Sequence, residues 1–112
     1  MGISTHILDT TRGRPAAGVE VTLARHDGAG FVPVGQGVTD ADGRVKALLP
    51  EGAQPAPGHY RVAFAVAPYF AGLGVEAFYP AVEIQFTVRA AHEHHHVPLL
   101  LNPFGYSTYR GS

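Results

Sequence analysis

The sequence predicts an all-β fold. It reads as an antiparallel β-sandwich of about eight short strands with one short helix, in a single domain over residues 1–112. Two observations carry this reading. Apolar and polar residues alternate with period two in several short runs rich in β-branched and aromatic side chains, as half-buried strands require. Glycine- and proline-rich punctuation, "TRGRPAAG", "DGAG", "DADG" and "PEGAQPAPG", separates the runs.

Each element follows in order. Ile3, Thr5 and Ile7 share one face of a first strand over 3–9, with His6 on the other. The start "MGISTH" also has the form of a myristoylation signal, but the alternation favours strand. Val19, Val21 and Leu23 alternate with Glu20, Thr22 and Ala24, giving a strand over 18–25. Strands over 31–38 and 44–49 lie on either side of the "DADG" turn. Tyr60, Val62, Phe64 and Val66 alternate with Arg61, Ala63 and Ala65, giving 59–67. "PYFAGLG", residues 68–74, is the helix, with Pro68 at its start and Gly72 or Gly74 at its end. Val82, Ile84, Phe86 and Val88 mark 81–89, and the last strands are 93–101 and 105–111. "PEGAQPAPG" reads as a loop within the domain.

Composition narrows the function classes. With no cysteine, disulfides and thiolate metal sites are excluded, and a reducing compartment fits. No apolar run reaches the ~20 residues of a membrane span, and the N-terminus lacks a secretory pattern. The net charge is -1, with no basic stripe for nucleic acid. Charged residues make up 15% of the chain, against about 25% in an average soluble domain. So little charge implies that another subunit covers part of the surface.

The densest chemistry is His92-Glu93-His94-His95-His96. The cluster runs directly into "VPLLL", so it belongs to a strand and not to an affinity tag. On that strand His95, Val97, Leu99 and Leu101 mark the core side, which puts His94 and His96 side by side on the other face. Their Cα atoms would stand about 7 Å apart, close enough to grip one water, ligand or metal ion. An open zinc site would need a third ligand, and His6 offers one. No carboxylate has matching spacing, because Glu93 alternates away from His94. Neutral imidazoles at this spacing can also take a proton from water and return it. His26, His59 and His92 read as turn, strand-start and solvated residues.

"EHHHVPLLLNPFGYSTYRGS" resembles the C-terminal signature of the 5-hydroxyisourate hydrolases, the transthyretin-related enzymes of urate breakdown. Glu93, His94, His96 to Leu101 and Gly105 to Ser112 match it. "STHILDTTRGRPA", with His6, and "TDADGRVKALLPEG", with Arg44, extend the likeness over nearly the whole chain. His95 stands where an aromatic is usual, and Asn102 where a serine is usual. As a polar ring on the core side, His95 is expected to find a hydrogen-bond partner.

The resemblance implies a transthyretin-like (prealbumin-like) sandwich assembled as a homotetramer, a dimer of dimers with edge strands paired. It implies hydrolysis of 5-hydroxyisourate in urate and purine catabolism, with no cofactor. The cytoplasm is the expected location, because no peroxisomal tripeptide ends the sequence. His6, Arg44 and His96 would be catalytic, and His94, Tyr109, Arg110, Gly111 and Ser112 would bind substrate. Tyr109 to Ser112 would be the tail that closes the pocket, with Arg110 equally suited to an ion pair across an interface. No metal would be required, although His6, His94 and His96 could take up adventitious zinc. A transthyretin-like carrier of small aromatic ligands and a zinc-binding structural module are the competing readings. Carriers lack the "YRGS" ending and the paired histidines.

Overall fold

The computed structural model describes residues 2–112. In chain order the strands are β1 (Ile3–Asp9), β2 (Arg14–Pro15), β3 (Glu20–His26), β4 (Phe31–Val38), β5 (Arg44–Val45) and β6 (Gly58–Phe64). The helix α1 (Val66–Gly72) follows, then β7 (Val82–Val88), β8 (His95–Asn102) and β9 (Gly105–Thr108). One sheet runs β2-β1-β8-β9, with β5 also paired to β1, and the other runs β4-β3-β6-β7. The alternating apolar residues of both sheets meet in one core. Ile3, Ile7, Leu99 and Leu101 come from the first sheet and Val21, Leu23, Val62 and Phe64 from the second, all of them buried.

The two-layer sandwich agrees with the sequence reading, and several details differ, among them the last two strands, expected over 93–101 and 105–111 and found at His95–Asn102 and Gly105–Thr108. The pairing of β1 with β8 is parallel, with Ser4 opposite His96 and His6 opposite Pro98, whereas the other pairings are antiparallel. Strands from opposite ends of the chain are free of the hairpin connection that would force them antiparallel. The expected strand over 44–49 shrinks to Arg44–Val45, although the Leu48 N–H still reaches the Ile3 carbonyl at 2.9 Å. The two-residue β2 was not expected, being too short to show any alternation.

The helix begins two residues earlier than expected, at Val66, and Pro68 sits within its first turn. Proline is tolerated there because first-turn N–H groups have no partner inside the helix. Val66 and Phe70, four residues apart, put one face of α1 into the core. At its C-terminus, Gly74 N–H bonds Ala71 O at 3.0 Å and Val75 N–H bonds Phe70 O at 2.9 Å, the paired closure of a Schellman end.

The "TDADG" turn places the first residue of the site. The Asp40 carboxylate accepts N–H bonds from Asp42 at 2.9 Å and Arg44 at 3.0 Å. The bond from the Arg44 N–H holds the Asp40 carboxyl below its usual pKa, so it remains an acceptor in mildly acidic solution. Gly43 adopts φ +74°, and a Cβ there would stand 2.5 Å from the Ile7 carbonyl oxygen. Only glycine lets the turn press onto β1 and deliver Arg44 opposite His6.

Candidate active site

The outer face of the first sheet gathers the site by register. On β1, Ser4 and His6 face away from the buried Ile3, Thr5 and Ile7. On β8, His96 and Pro98 take the same outer face while Val97, Leu99 and Leu101 enter the core. On β5, Arg44 is exposed and Val45 is buried. Arg44 lies across from His6, and Ser4 across from His96. Two imidazoles and a guanidinium are thus set by three strands.

A hollow of about 310 Å³ opens on this face, lined by Ser4, Thr5, Arg44, Lys46, His94, His96 and Ser112. A shallower one adjoins it, lined by His6, Pro15, Asp42, Arg44 and Lys46. Arg44 and Lys46 belong to both, so His6 and His96 flank one continuous depression. Arg44, His94 and Ser112 are exposed, His6 and His96 half-buried. The depression is therefore open on its outer side in a single chain.

Hydrogen bonds fix the histidine pair. Ser4 Oγ lies 2.7 Å from His94 Nε2 and 2.7 Å from His96 Nδ1. Burial, followed by the charges of His94, Arg44 and His6, lowers the pKa of His96 below the ordinary 6.5. His96 is therefore a neutral imidazole at pH 7, the form that can accept a proton.

The chain end closes over His96. Gly111 N–H donates to the His96 carbonyl at 2.9 Å. A Cβ on Gly111 would lie 2.5 Å from His96 Cδ2 and 3.1 Å from Cγ, so the backbone rests directly on the ring. Ser112 then reaches the hollow beside His94 and His96.

The structure does not bring every sequence-predicted residue to this hollow. Tyr109 and Arg110 line a different cavity of about 250 Å³, together with His95, Ile84 and Phe86, where the β7 and β9 edges approach. Arg110 pairs within its own chain with Glu93 at 3.2 Å, and both side chains are exposed. An ion pair in that setting contributes about 0–1 kcal/mol. The expectation that His95 finds a hydrogen-bond partner fails at Nδ1: the ring is buried and that atom has none among the described residues. Burial, helped by the Arg110 charge, lowers its pKa too.

Sequence reasoning missed Ser4. The signal was present, because a residue two before His6 on a strand must share its face. Lys46 shares the face of Arg44 by the same rule. Among the described residues no group of three or more His, Cys, Asp or Glu side chains is gathered to hold a metal ion. The geometry sets imidazoles that can move protons beside the cationic side chains of Arg44 and Lys46.

The chain is 49% identical over 110 residues to a 5-hydroxyisourate hydrolase of Salmonella dublin, covering 98% of this chain and 80% of that protein. Among solved structures, the 5-hydroxyisourate hydrolase of Klebsiella pneumoniae superposes with a TM-score of 0.87 at 36% identity, over the whole of both chains. Sea bream transthyretin in complex with thyroxine superposes with a TM-score of 0.90 at 32% identity, over 99% of this chain and 95% of that one. The family model of the HIUase/Transthyretin family matches residues 3–111, and the chain belongs to that family.

Proposed function

We propose that the chain hydrolyses 5-hydroxyisourate to 2-oxo-4-hydroxy-4-carboxy-5-ureidoimidazoline, a step of urate breakdown. The observation that carries the proposal is the shared outer face on which His6, Arg44 and His96 border one depression. Fold similarity alone does not choose between enzyme and carrier, since the hydrolase and the thyroxine-binding relative superpose about equally well. The paired His94 and His96 and the "YRGS" tail resting on His96 favour the enzyme.

The chemistry follows from the groups present. Water attacks a carbonyl carbon of the substrate's six-membered ring while His96, neutral at pH 7, takes its proton. Arg44 offers planar, paired N–H donors to the substrate's carbonyl oxygens and opposes the negative charge that grows on oxygen in the transition state. His6, across from Arg44, is the second imidazole on the depression. The C–N bond of the tetrahedral intermediate then breaks and the ring nitrogen receives the proton. Every group in this scheme is a side chain of the protein, so no cofactor is required.

The assembly belongs to the same proposal. We take the working form to be a homotetramer, a dimer of dimers, in which a facing subunit covers the depression's open side. Among the described residues the outer edges of β7 and β9 are unpaired, and Phe78, Tyr79, Phe104, Tyr106 and Tyr109 stand exposed. Unpaired edges and exposed aromatics of this kind are surfaces that a partner covers. Residence in the cytoplasm completes the reading, and the absence of cysteine is compatible with a reducing compartment.

The test uses substrate made from urate with uricase, its ultraviolet decay followed with and without the protein. Accelerated decay that survives exhaustive chelation is expected. Equal decay with and without protein overturns the hydrolase reading, and loss of activity on chelation overturns the metal-free chemistry. Retention of an aromatic ligand without its consumption would identify a carrier.

A further inference from the structure

We propose that Ser4 is a positioning residue that couples the protons of His94 and His96, so that His96 presents an unprotonated Nε2 to water. This rests on the hydrolase reading for its consequence, but the geometry stands independently. Ser4 Oγ makes two contacts of 2.7 Å, to His94 Nε2 and to His96 Nδ1, and no other side-chain hydrogen bond among the described residues. A hydroxyl carries one hydrogen. If both rings donated to Oγ, that hydrogen would have only water in the hollow to bond, from a residue just 7% exposed. One ring therefore donates to Oγ, and Oγ–H donates to the other.

Two arrangements satisfy this condition. In the first, His94 Nε2–H donates to Oγ and Oγ–H donates to His96 Nδ1, which leaves the proton of His96 on Nε2. In the second, His96 Nδ1–H donates to Oγ and Oγ–H donates to His94 Nε2, which leaves the lone pair of His96 on Nε2. The second arrangement makes His96 a base toward the hollow. The two interconvert by moving one proton across each short bond.

During turnover the second arrangement also disposes of charge. A water O–H bond breaks as its oxygen bonds the carbonyl carbon, and the proton goes to His96 Nε2. The Nδ1 proton of His96 passes to Ser4 Oγ as the Oγ proton passes to His94 Nε2. The positive charge then rests on the exposed His94 instead of the half-buried His96. As the proton on His94 Nε2 passes to Ser4 Oγ and the Oγ proton returns to His96 Nδ1, His96 Nε2 gives its proton to the ring nitrogen, which keeps the electron pair of the broken C–N bond; no imidazolate forms and the starting state is restored.

The test compares wild type with Ser4→Ala and Ser4→Thr, reading kcat, KM and the ring-nitrogen 15N shifts of His94 and His96 in the free protein. Ser4→Ala is expected to lower kcat by roughly 10- to 100-fold, below the loss for removing a base outright, with KM changed less than about twofold. Its His96 Nδ1 should lose the protonated shift seen in wild type. Ser4→Thr, which keeps a hydroxyl on a strand-favouring side chain, should restore both. Wild-type kcat in Ser4→Ala overturns the proposal. So does a lower kcat with unchanged 15N shifts, which would mark Ser4 as packing only. A wild type without turnover but with these shifts would instead overturn the hydrolase reading while leaving the serine coupling intact.

Discussion

Gly111 and His96 touch so closely that the last residues of the chain act as one wall of the imidazole's slot. A methyl group on Gly111 must displace the ring, because its nearest neighbours would be His96 Cδ2 and Cγ and Pro98 Cγ. A displacement approaching 1 Å at a reacting group costs about 10²-fold in rate. Gly111→Ala is therefore expected to lower kcat/KM by roughly 10- to 100-fold with an unchanged circular dichroism spectrum. Steady-state kinetics with wild-type values would show that the ring tolerates the shift. As the proposed base, His96 would also set the acid limb of the pH profile. Because burial lowers its pKa, the base form already dominates at neutrality, so kcat/KM should be flat around pH 7. It should fall only as the pH drops through a value below 6.5. A limb centred above 6.5 would assign the proton to another group.

His95 tells the opposite story at the same scale. Its buried Nδ1 has no partner, and an unsatisfied buried polar atom costs ~1–3 kcal/mol. The neighbouring cavity of about 250 Å³ leaves room for a larger ring. His95→Phe is expected to raise the unfolding free energy by about 1 kcal/mol and to leave kcat unchanged, as denaturant titration and the decay assay can measure. A decrease in stability would mean that water or a partner subunit satisfies the ring.

At the scale of elements, the tail and the turn carry the site. Residues 109–112 contribute one backbone bond and one contact surface to β8, through Gly111. Their removal should abolish most turnover while sedimentation reports the same assembly. A shift to monomer would assign the tail to structure. Most of the strands were legible because period-two alternation is strong in runs such as Tyr60 to Phe64 and Val82 to Val88. The outward placement of His94 and His96 was legible for the same reason, since Val97, Leu99 and Leu101 fix the strand's inner face. The parallel partner of β1 was not legible, because alternation assigns faces and not neighbours. Nor was the link from Ser4 to both imidazoles, because it exists only once β1 and β8 are in register. The truncated β5 escaped as well: Arg44 to Ala47 alternates like a strand, but Ala47 is exposed and Leu48 buried, so the two-residue period breaks after Lys46.

At the scale of the whole molecule, two lowered histidine pKa values couple folding to pH. His95 and His96 both favour the neutral form when folded, so the unfolded chain binds more protons just below the ordinary value of 6.5. Their contribution is complete above that value and is lost as the pH falls through the folded-state values. The thermal midpoint should therefore drop on acidification from pH 7 to pH 5, less steeply in His95→Phe. A midpoint rising on acidification would contradict the burial of both rings. The outer edges of β7 and β9 and the open depression concern the same scale, because they are the surfaces that the proposed tetramer would cover.

The central claim is that His6, Arg44 and His96 act together on one substrate. The direct measurement is the decay rate of uricase-generated 5-hydroxyisourate with wild type, His6→Ala, Arg44→Ala and His96→Ala, each first shown to be folded. The account predicts a loss of at least ~10²-fold in each variant, and wild-type rates in all three would contradict it.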